Sequence, residues 1–481
     1  MLPSHLHVAD FGIFAVVALF ALFIALVCLI DFRKSSKGPS IPGPEANDPV
    51  NGNLLDVKKA GSLHEYLLLL HKTYGPVASF MWGTINVVSV ADPTLWKELR
   101  SLFDRPPELF KLFEPLIGKK SIQYANGVHG RKLRQLFDRG FSHQAVKDYY
   151  QSFIEGAEKV ANQWVIKSSD EHIPIVESML MLAIRAIGKA GMGKQFSAEK
   201  DVQAFMNAYR TTWEEMEACL NGSLATKGSK RDQRFQHDME VMRKMIRETI
   251  SARRNQRMSS PEPLFIDSVL DCDFIDEKEM EDDMISFFVG GFHTTGNMMS
   301  WCFYYLAIHP EIQEKVHQEL IDVLGNDAID PQAASELQFC RQVLDETLRC
   351  AVVAPWGARV QYDHDLQIGE YVVPKGTPII TPFGVVLQDP ELYPEPQMFD
   401  PDRFSPEAMK ELPSHAYEPF GFAGKRKCPG WRFSIAEGLV FLSVFVRRFK
   451  IRLVPGQKVE PVYGLVTTPK EELWVAVEKR K

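Results

Sequence analysis

Hydrophobic positions change their spacing several times along this 481-residue chain, and each spacing predicts a different kind of element. The first is an unbroken apolar run, FGIFAVVALFALFIALVCLI (11–30), which contains neither a charge nor a proline. A helix of this length can cross the roughly 30 Å hydrocarbon core of a bilayer. Because Arg33, Lys34 and Lys37 follow the run, the positive-inside rule predicts that residues 1–10 are lumenal and that the remainder faces the cytosol. A cleaved signal peptide is the alternative.

The remainder of the chain reads as a hinge followed by one main body. The stretch 31–50 is rich in proline and glycine and predicts the hinge, and 51–481 forms the body. Within the body, 76–83 and 85–92 alternate like a pair of strands, whereas the spacing from about 95 to 261 is mostly helical. Short strand patterns return in the last quarter. We therefore predict a mainly α fold with small β-sheets and an N-terminal transmembrane helix.

Composition and charge narrow the class of protein. The chain is 45% hydrophobic and 24% charged, as in a globular protein able to bury a large core. Its net charge of −7 argues against a general nucleic-acid binder. The seven cysteines form no C-x-x-C pair, so the sequence supports neither a disulfide framework nor a zinc cluster. A reducing compartment is the natural interpretation.

A long helical pattern without proline runs from Asp276 to His309. It begins with acidic residues, which are favourable at a helix N-terminus. Near its centre lie two adjacent glycines, Gly290 and Gly291, each of which costs about 1 kcal/mol relative to alanine in a helix. Such weakening predicts that another group approaches the backbone there. A simple kink between two packed helices is the alternative.

One loop, PFGFAGKRKCPGWRFS (419–434), places glycines, cations and aromatic residues around Cys428. A phosphate-binding loop is excluded by its spacing, and a redox thiol would need a partner cysteine. A buried structural cysteine is the default alternative. However, Lys425, Arg426, Lys427 and the amides of a helix starting after Pro429 predict a lowered pKa for the thiol, which suits a thiolate ligand of iron. The glycines would admit a flat macrocycle, and Arg426 could pair with one of its carboxylates.

The loop resembles the cysteine-ligand loop of the cytochromes P-450, F-x-x-G-x-R-x-C-x-G. The matching positions are Gly424, Arg426, Cys428 and Gly430. Gly421 stands at the phenylalanine position between Phe420 and Phe422, and one of these rings, with Phe422 as the candidate, is expected to pack in its place. The resemblance implies that Cys428 is the axial ligand of the iron of haem b (iron protoporphyrin IX), with Arg426 on a propionate.

Two further motifs resemble the same family and occur in its order. ETLR and FDPDRF supply Glu346, Arg349 and Arg403, which match the Glu-Arg-Arg network of these proteins. The network is implied to hold the core and the haem loop rather than to take part in chemistry. Together with the loop, these motifs extend the resemblance over roughly residues 40–481.

By the same resemblance, the long helix crosses the distal face of the haem. Gly290 and Gly291 are implied to leave room for dioxygen, and Thr294 to guide proton delivery. His293 stands where most members of the family carry an acid. It is expected either to relay protons, since histidine titrates near neutral pH, or to cap a neighbouring carbonyl.

Other segments are implied to bind haem and substrate. NGVHGRKLRQLF resembles the W-x-x-x-R helix of the family, with Arg134 as a propionate ligand and Gly130 in place of the tryptophan. Arg359 is a further propionate candidate. Substrate contacts are expected from apolar positions at 109–116, Phe292, 351–358 and 465–466, so the substrate is expected to be lipophilic.

The resemblance implies a monooxygenase (EC 1.14.-.-) of the endoplasmic reticulum membrane that uses O2 and electrons from an NADPH-cytochrome reductase, and from cytochrome b5 as a further candidate. A basic patch of Lys132, Lys425 and Lys427 is expected to meet an acidic reductase. Within the superfamily, GSLHEYLLLLHKTYGPVASF and GVVLQDP resemble the animal family numbered twenty.

Three alternatives to the monooxygenase remain open. The first is a membrane-anchored haem-binding sensor or pseudoenzyme, with His293 marking lost proton delivery. The second is a haem-thiolate isomerase or dehydratase, a class that often lacks the distal threonine, so Thr294 counts against it. The third is a structural membrane protein without haem.

Overall fold

The computed structural model describes residues 39–480, except 168–170, 194–197, 221–224, 257–263 and 423. Over this part of the chain, no helix is both long and apolar enough to cross a membrane. The predicted membrane helix at 11–30 and the residues before it lie outside the described residues, as does the first part of the predicted hinge. These assignments therefore stay predictions.

Helices dominate the described residues, in agreement with the apolar spacing. They are α1 (Leu54–Ala60), α2 (Leu63–Tyr74), α3 (Trp96–Leu99), α4 (Pro107–Phe110), α5 (Glu114–Ile117), α6 (Gly127–Gly140), α7 (His143–Val165), α8 (Ile175–Met192), α9 (Glu199–Leu220), α10 (Lys230–Gln256), α11 (Phe265–Leu270), α12 (Glu277–Ile308), α13 (Pro310–Leu324), α14 (Gln338–Ala351), α15 (Phe383–Leu387), α16 (Ala408–Glu411) and α17 (Trp431–Arg448). Short 3₁₀ turns lie between several of them.

The strands form small sheets. They are β1 (Val77–Trp82), β2 (Ile85–Val90), β3 (Ile173–Pro174), β4 (Gly357–Val360), β5 (Leu366–Ile368), β6 (Tyr371–Val373), β7 (Pro378–Thr381), β8 (Phe449–Leu453), β9 (Pro461–Tyr463), β10 (Thr467–Pro469) and β11 (Trp474–Lys479). The larger sheets have the strand orders β1-β2-β7-β4 and β3-β11-β8, and β5-β6 and β9-β10 form pairs. β1 and β2 are antiparallel, with Val77 opposite Val90, as the alternation predicts. The prediction of a mainly α fold with small sheets is confirmed.

The predicted long helix is α12, which has 32 residues, most of them buried. At its N-terminus the side chain of Asp276 accepts a hydrogen bond of 2.8 Å from the amide of Glu279. At the other end it stops before Pro310, which begins the next helix. The helical assignment continues without interruption through Gly290 and Gly291, so the segment is one helix and not two separate helices.

Close packing of α12 against α8 accounts for one of its two central glycines. A Cβ added to Gly291 would clash with Ile187 on α8, and one added to Gly191 on α8 would clash with Phe287 on α12. Glycine at both places lets the two helix backbones approach closely. The group that approaches the backbone at Gly291 is therefore a neighbouring helix.

Candidate functional site

The loop that carries Cys428 is held in a tight conformation by its own main chain. The amide of Cys428 donates to the carbonyl of Phe420 at 2.8 Å, which closes the loop just before α17. Within it, Gly421 has a φ of 76° and Gly424 a φ of 36°, a region that side chains strongly disfavour. Gly430 is the N-cap residue of α17. Gly421, at the phenylalanine position of the motif, and the motif glycine Gly424 thus let the chain turn back before Cys428.

The protonation of Cys428 differs from the prediction made from the loop sequence. Burial raises the pKa of the Cys428 thiol, and this effect outweighs an amide hydrogen bond at Gly430 and the attraction of Arg134, Arg105 and Lys427. The predicted lowering of the pKa by neighbouring cations is therefore wrong for the protein without a bound metal. A bound metal ion would itself favour the thiolate, because a coordinating thiol is deprotonated.

Four arginines gather beside this cysteine: Arg105, Arg134, Arg359 and Arg426. Burial, and then the repulsion of neighbouring guanidiniums, lowers the pKa of Arg105 to about 10, that of Arg359 to about 9 and that of Arg426 to about 8. Among the described residues, Asp138 is the one carboxylate bonded to any of the four, at 2.7 Å from the Nε of Arg134. The cluster therefore carries a surplus of buried positive charge.

The sequence motifs predict three members of this cluster and miss Arg105. That residue lies in the irregular segment before the Pro106-Pro107 break, where no motif marks it. Only the fold brings it to Arg134 and Cys428, which are distant from it in the chain. The one sequence signal for Arg105 is that it is a cation next to a helix-breaking pair of prolines. Many surface residues have such a position, so this signal is not specific.

Main-chain carbonyls hold these guanidiniums in place without neutralising them. Arg426 donates to the carbonyls of Phe103 at 3.1 Å and Ile122 at 2.9 Å, and also to that of Ala125. Arg359 donates to its neighbour Ala358 at 2.6 Å, while its buried Nε has no partner among the described residues. Orphaned donors and unbalanced charge together favour an anion at this place.

Haem fits this arrangement. Guanidinium groups stay protonated in proteins, so the cost of burying several together is best offset by an anion rather than by the loss of a proton. The two propionates of haem supply such charges, and arginine binds carboxylates through paired hydrogen bonds. The residues that would hold the group are Cys428 at the iron and Arg105, Arg134, Arg359 and Arg426 at the propionates.

Gly130, which replaces the tryptophan of the family motif, has no space for a side chain. A Cβ added there would clash with the carbonyl of Ala125 and come within 3.1 Å of the Phe103 ring. The Ala125 carbonyl is one of the acceptors of Arg426. In this protein, the loop that positions Arg426 thus occupies the space next to α6 at position 130.

On α12, Thr294 and Gly290 lie on the same open side of the helix. The hydroxyl of Thr294 donates to the carbonyl of Gly290 at 3.0 Å, and a Cβ added to Gly290 would meet nothing within 4 Å. Gly291, by contrast, lies against α8. Of the two glycines predicted to leave room for dioxygen, Gly290 faces open space, and the missing side chain of Gly291 serves helix packing. The next residue, Thr295, donates to the Ser434 hydroxyl of α17 at 3.1 Å and so ties α12 to the helix that follows Cys428.

His293 faces the opposite way, into aromatic side chains of α9. Its ring centroid lies 4.1 Å from that of Trp213 and 5.4 Å from that of Tyr209. Burial lowers the pKa of His293 to about 3, so the imidazole is neutral at physiological pH. Its Nδ1 is buried without a partner among the described residues, so a hydrogen bond from Nδ1 to a carbonyl is not observed.

The structure brings together the three residues of the predicted Glu-Arg-Arg network. Arg349 binds Glu346 through two hydrogen bonds of 2.6 and 2.8 Å, and the Nε of Arg403 lies 3.6 Å from the same carboxylate. Arg349 also donates to the carbonyls of Leu387 and Pro396. The shared carboxylate is thus surrounded by donors, as a buried charge requires.

Of the two phenylalanines beside Gly421, Phe422 packs away from the main core. Its ring stacks on Trp96 at a centroid distance of 4.9 Å and lies edge-on to Phe383. Phe420 packs against the main hydrophobic core. The predicted candidate, Phe422, therefore fixes the loop to α3 and α15, and its role in shielding the sulfur stays a prediction.

A cysteine that could serve as an iron ligand, beside arginines whose buried charge favours an anion, fits the class of haem-thiolate proteins. The chain belongs to the Cytochrome P450 family, whose sequence model matches residues 42–476. It is therefore a haem-thiolate monooxygenase whose cofactor is iron protoporphyrin IX.

Three relatives illustrate the range of similarity. Cytochrome P450 20A1 of Bos taurus is 33% identical over 476 residues, 98% of this chain and 99% of that protein. The protein of the same name in Homo sapiens is 32% identical over 478 residues, with the same coverage. Bifunctional cytochrome P450/NADPH--P450 reductase 2 of Bacillus subtilis (strain 168) is 25% identical over 460 residues, 92% of this chain and 43% of that protein. The predicted resemblance to animal family twenty is confirmed.

Proposed function

We propose that this protein is a membrane-anchored monooxygenase that inserts one oxygen atom of O2 into a lipophilic substrate, with electrons from an NADPH-cytochrome reductase and, as a second donor, cytochrome b5. The observation that carries the proposal is the Thr294 hydroxyl beside the open space at Gly290. A hydroxyl on the open side of a buried helix can pass a proton to a ligand there.

Each group of residues has a separate task in this proposal. Haem, once bound through Cys428, supplies the dioxygen chemistry. Arg105, Arg134, Arg359 and Arg426 would orient the group through its propionates. The Gly290 position would leave space for a haem ligand. Neutral His293 is not part of the proton route, because its imidazole packs among the rings of α9.

Two predicted substrate segments meet in the fold, which supports a lipophilic substrate. The ring of Phe110 stacks on Trp356 at a centroid distance of 5.5 Å, and this pair joins 109–116 to 351–358. Phe292 does not lie in an open position: it is fully buried, and its ring contacts Tyr209 of α9. Substrate contact by Phe292 is therefore not supported by its position.

Electron delivery is proposed to occur at the basic patch beside the cysteine loop. Lys425 is exposed there, and Lys132 lies over the ring of Phe274 at 5.5 Å. Lys427 is less available, since its ammonium lies 3.6 Å from Glu418. The name of the Bacillus subtilis relative, which joins a cytochrome P450 to an NADPH–P450 reductase, supports a reductase of this kind. The apolar run at 11–30 supports a single-pass anchor in the endoplasmic reticulum membrane with the body in the cytosol.

The test is the carbon monoxide difference spectrum of the reduced protein, followed by reductase-dependent NADPH consumption with a library of lipophilic compounds. We expect the red-shifted Soret band of thiolate ligation in the wild type and in Cys272→Ala, a partly exposed control, and its loss in Cys428→Ala. Substrate-stimulated NADPH consumption with product supports the monooxygenase. A normal spectrum without turnover would favour the second candidate, a haem-binding sensor or pseudoenzyme, which the neutral state of His293 favours.

A further inference from the structure

A surface pocket of about 460 Å³ lies beside the cysteine loop, and none of the four clustered arginines lines it. Its walls come from three separate parts of the chain: the end of α3 with the turn after it, the first half of α6, and the cysteine loop. The lining residues are Lys97, Arg100, Ser101, Leu102, Phe103, Arg131, Gly424 and Lys425. Small-molecule sites have volumes in this range.

Four cations line this pocket, which we call the cationic pocket: Lys97, Arg100, Arg131 and Lys425. All four side chains are exposed, and no acidic residue is part of the lining. Several other surface lysines of this acidic chain are paired, such as Lys119 with Glu114 at 2.9 Å. Cations converging from separate segments create a local positive field that favours an anion.

The aromatic side chain in the pocket is already covered. Two guanidinium groups lie over the ring of Phe103. That of Arg131 is 4.4 Å and that of Arg426 is 4.0 Å from the ring centroid. Phe103 is only 4% exposed, so little of its ring is accessible for a ligand ring to stack on. Recognition is left to charge and to hydrogen-bond donors, including the hydroxyl of Ser101.

We propose that the cationic pocket binds a small phosphate-bearing polyanion of the pyrophosphate class. Arginine and lysine are the side chains that bind phosphate oxygens most strongly, and four cations exceed what a single carboxylate can balance. The pocket shares Lys425 with the basic patch proposed for the reductase, but it contains none of the proposed haem-binding residues, so anion binding can be measured without turnover.

The test uses the purified haem-loaded protein and isothermal titration with sodium pyrophosphate, inorganic phosphate and citrate. We expect saturable binding of one pyrophosphate per chain, tighter than that of phosphate, and weakened when the salt concentration is raised from about 0.05 to 0.5 M because screening shortens the reach of the charges. Lys97→Gln and Arg100→Gln should each weaken binding about tenfold, the loss expected for one charge-assisted hydrogen bond. Lys410→Gln, at an exposed lysine of α16, is the matched control and should bind as the wild type does.

The Soret spectrum and circular dichroism of each variant show whether it is folded and loaded, so a loss of binding is not confused with a loss of structure. The proposal is overturned if pyrophosphate does not bind in a saturable way, if Lys410→Gln weakens binding as much as Arg100→Gln, or if an acidic peptide binds at this place and pyrophosphate does not. Failure of the monooxygenase assay would leave this result unaffected.

Discussion

The hydroxyl of Thr294 donates a 3.0 Å hydrogen bond to the carbonyl of Gly290, one helical turn earlier, on the side of α12 where no other atom would meet a Gly290 side chain. The bond fixes the orientation of a hydroxyl that borders open space. Thr294 is partly exposed, so we expect its removal to change chemistry more than structure.

Thr294→Ala is expected to separate oxygen consumption from product formation. Without the hydroxyl, no side chain directs protons to the ligand at Gly290. Product per NADPH consumed should therefore fall by roughly a hundredfold, the low end of what positioned proton donors contribute. The measurement is hydrogen peroxide and product formed per NADPH. Thr294→Ser retains the hydroxyl and should restore most of the coupling. Equal coupling in Thr294→Ala and the wild type would remove Thr294 from proton delivery.

The two adjacent glycines of α12 are expected to respond in opposite ways to alanine. Gly290→Ala meets no neighbour and should raise stability by up to about 1 kcal/mol through helix propensity. Gly291→Ala clashes with Ile187 of α8 and should lower stability by about 1–3 kcal/mol, the range for overpacked cores. Thermal and urea unfolding of the two variants measure this difference.

The same two alanine variants also test which of the two glycines borders the open space on α12. Only Gly290→Ala fills the open side of α12, so only this variant should weaken the binding of carbon monoxide or a bulky haem ligand while it remains fully folded. Weaker ligand binding in a well-folded Gly291→Ala instead would contradict the assignment.

Because of His293, the free energy of unfolding should depend on pH at values below 6.5. Its folded pKa of about 3 lies below the ordinary value of 6.5, so the folded state favours the neutral imidazole. As pH falls below 6.5, the unfolded chain takes up a proton that the folded protein does not, and the free energy of unfolding decreases down to about pH 3. His293→Phe keeps an aromatic ring beside Trp213 and lacks this loss.

The difference in Tm between His293→Phe and the wild type should therefore grow as pH is lowered from 7 to 4.5. Other buried histidines such as His64 contribute equally to both proteins and cancel. His143→Phe, at an exposed position of α7, is the control for the loss of a histidine. A difference that stays constant over this range would show that the pKa of His293 in the folded protein equals its ordinary value and is not lowered by burial.

Removal of one guanidinium from the arginine cluster is expected to act in opposite directions on the two forms of the protein. Arg105→Leu relieves repulsion by Arg134 and should raise the Tm of the apoprotein. In the haem-loaded protein it removes a partner of a propionate, and hydrogen bonds to charged groups contribute roughly 1.5–3 kcal/mol, so haem dissociation should be at least about tenfold faster.

Haem transfer to a high-affinity apoprotein acceptor and thermal unfolding of both forms measure these effects. Arg139→Leu, at an exposed arginine of the same region, is the control. A lower Tm of the apoprotein together with unchanged haem dissociation would show that Arg105 is a structural residue and not a propionate partner.

The sequence alone determined the elements and the motifs. Helical and alternating spacings predict α12, β1 and β2, because local side-chain periodicity reflects which face of an element is buried. The loop around Cys428 and the Glu346–Arg349 pair could be predicted for a related reason. Their residues are close in the chain, so their spacing already contains most of their geometry.

Tertiary structure alone decided the features that depend on distant residues and on burial. Arg105 reaches Cys428 from more than three hundred positions away, and burial reverses the predicted direction of the Cys428 pKa. The different roles of Gly290 and Gly291, and the turn of His293 toward α9, follow from which neighbour each helix face meets. Desolvation and close packing arise only when separate elements come together. The spacing of residue types along the sequence does not show which elements pack against each other.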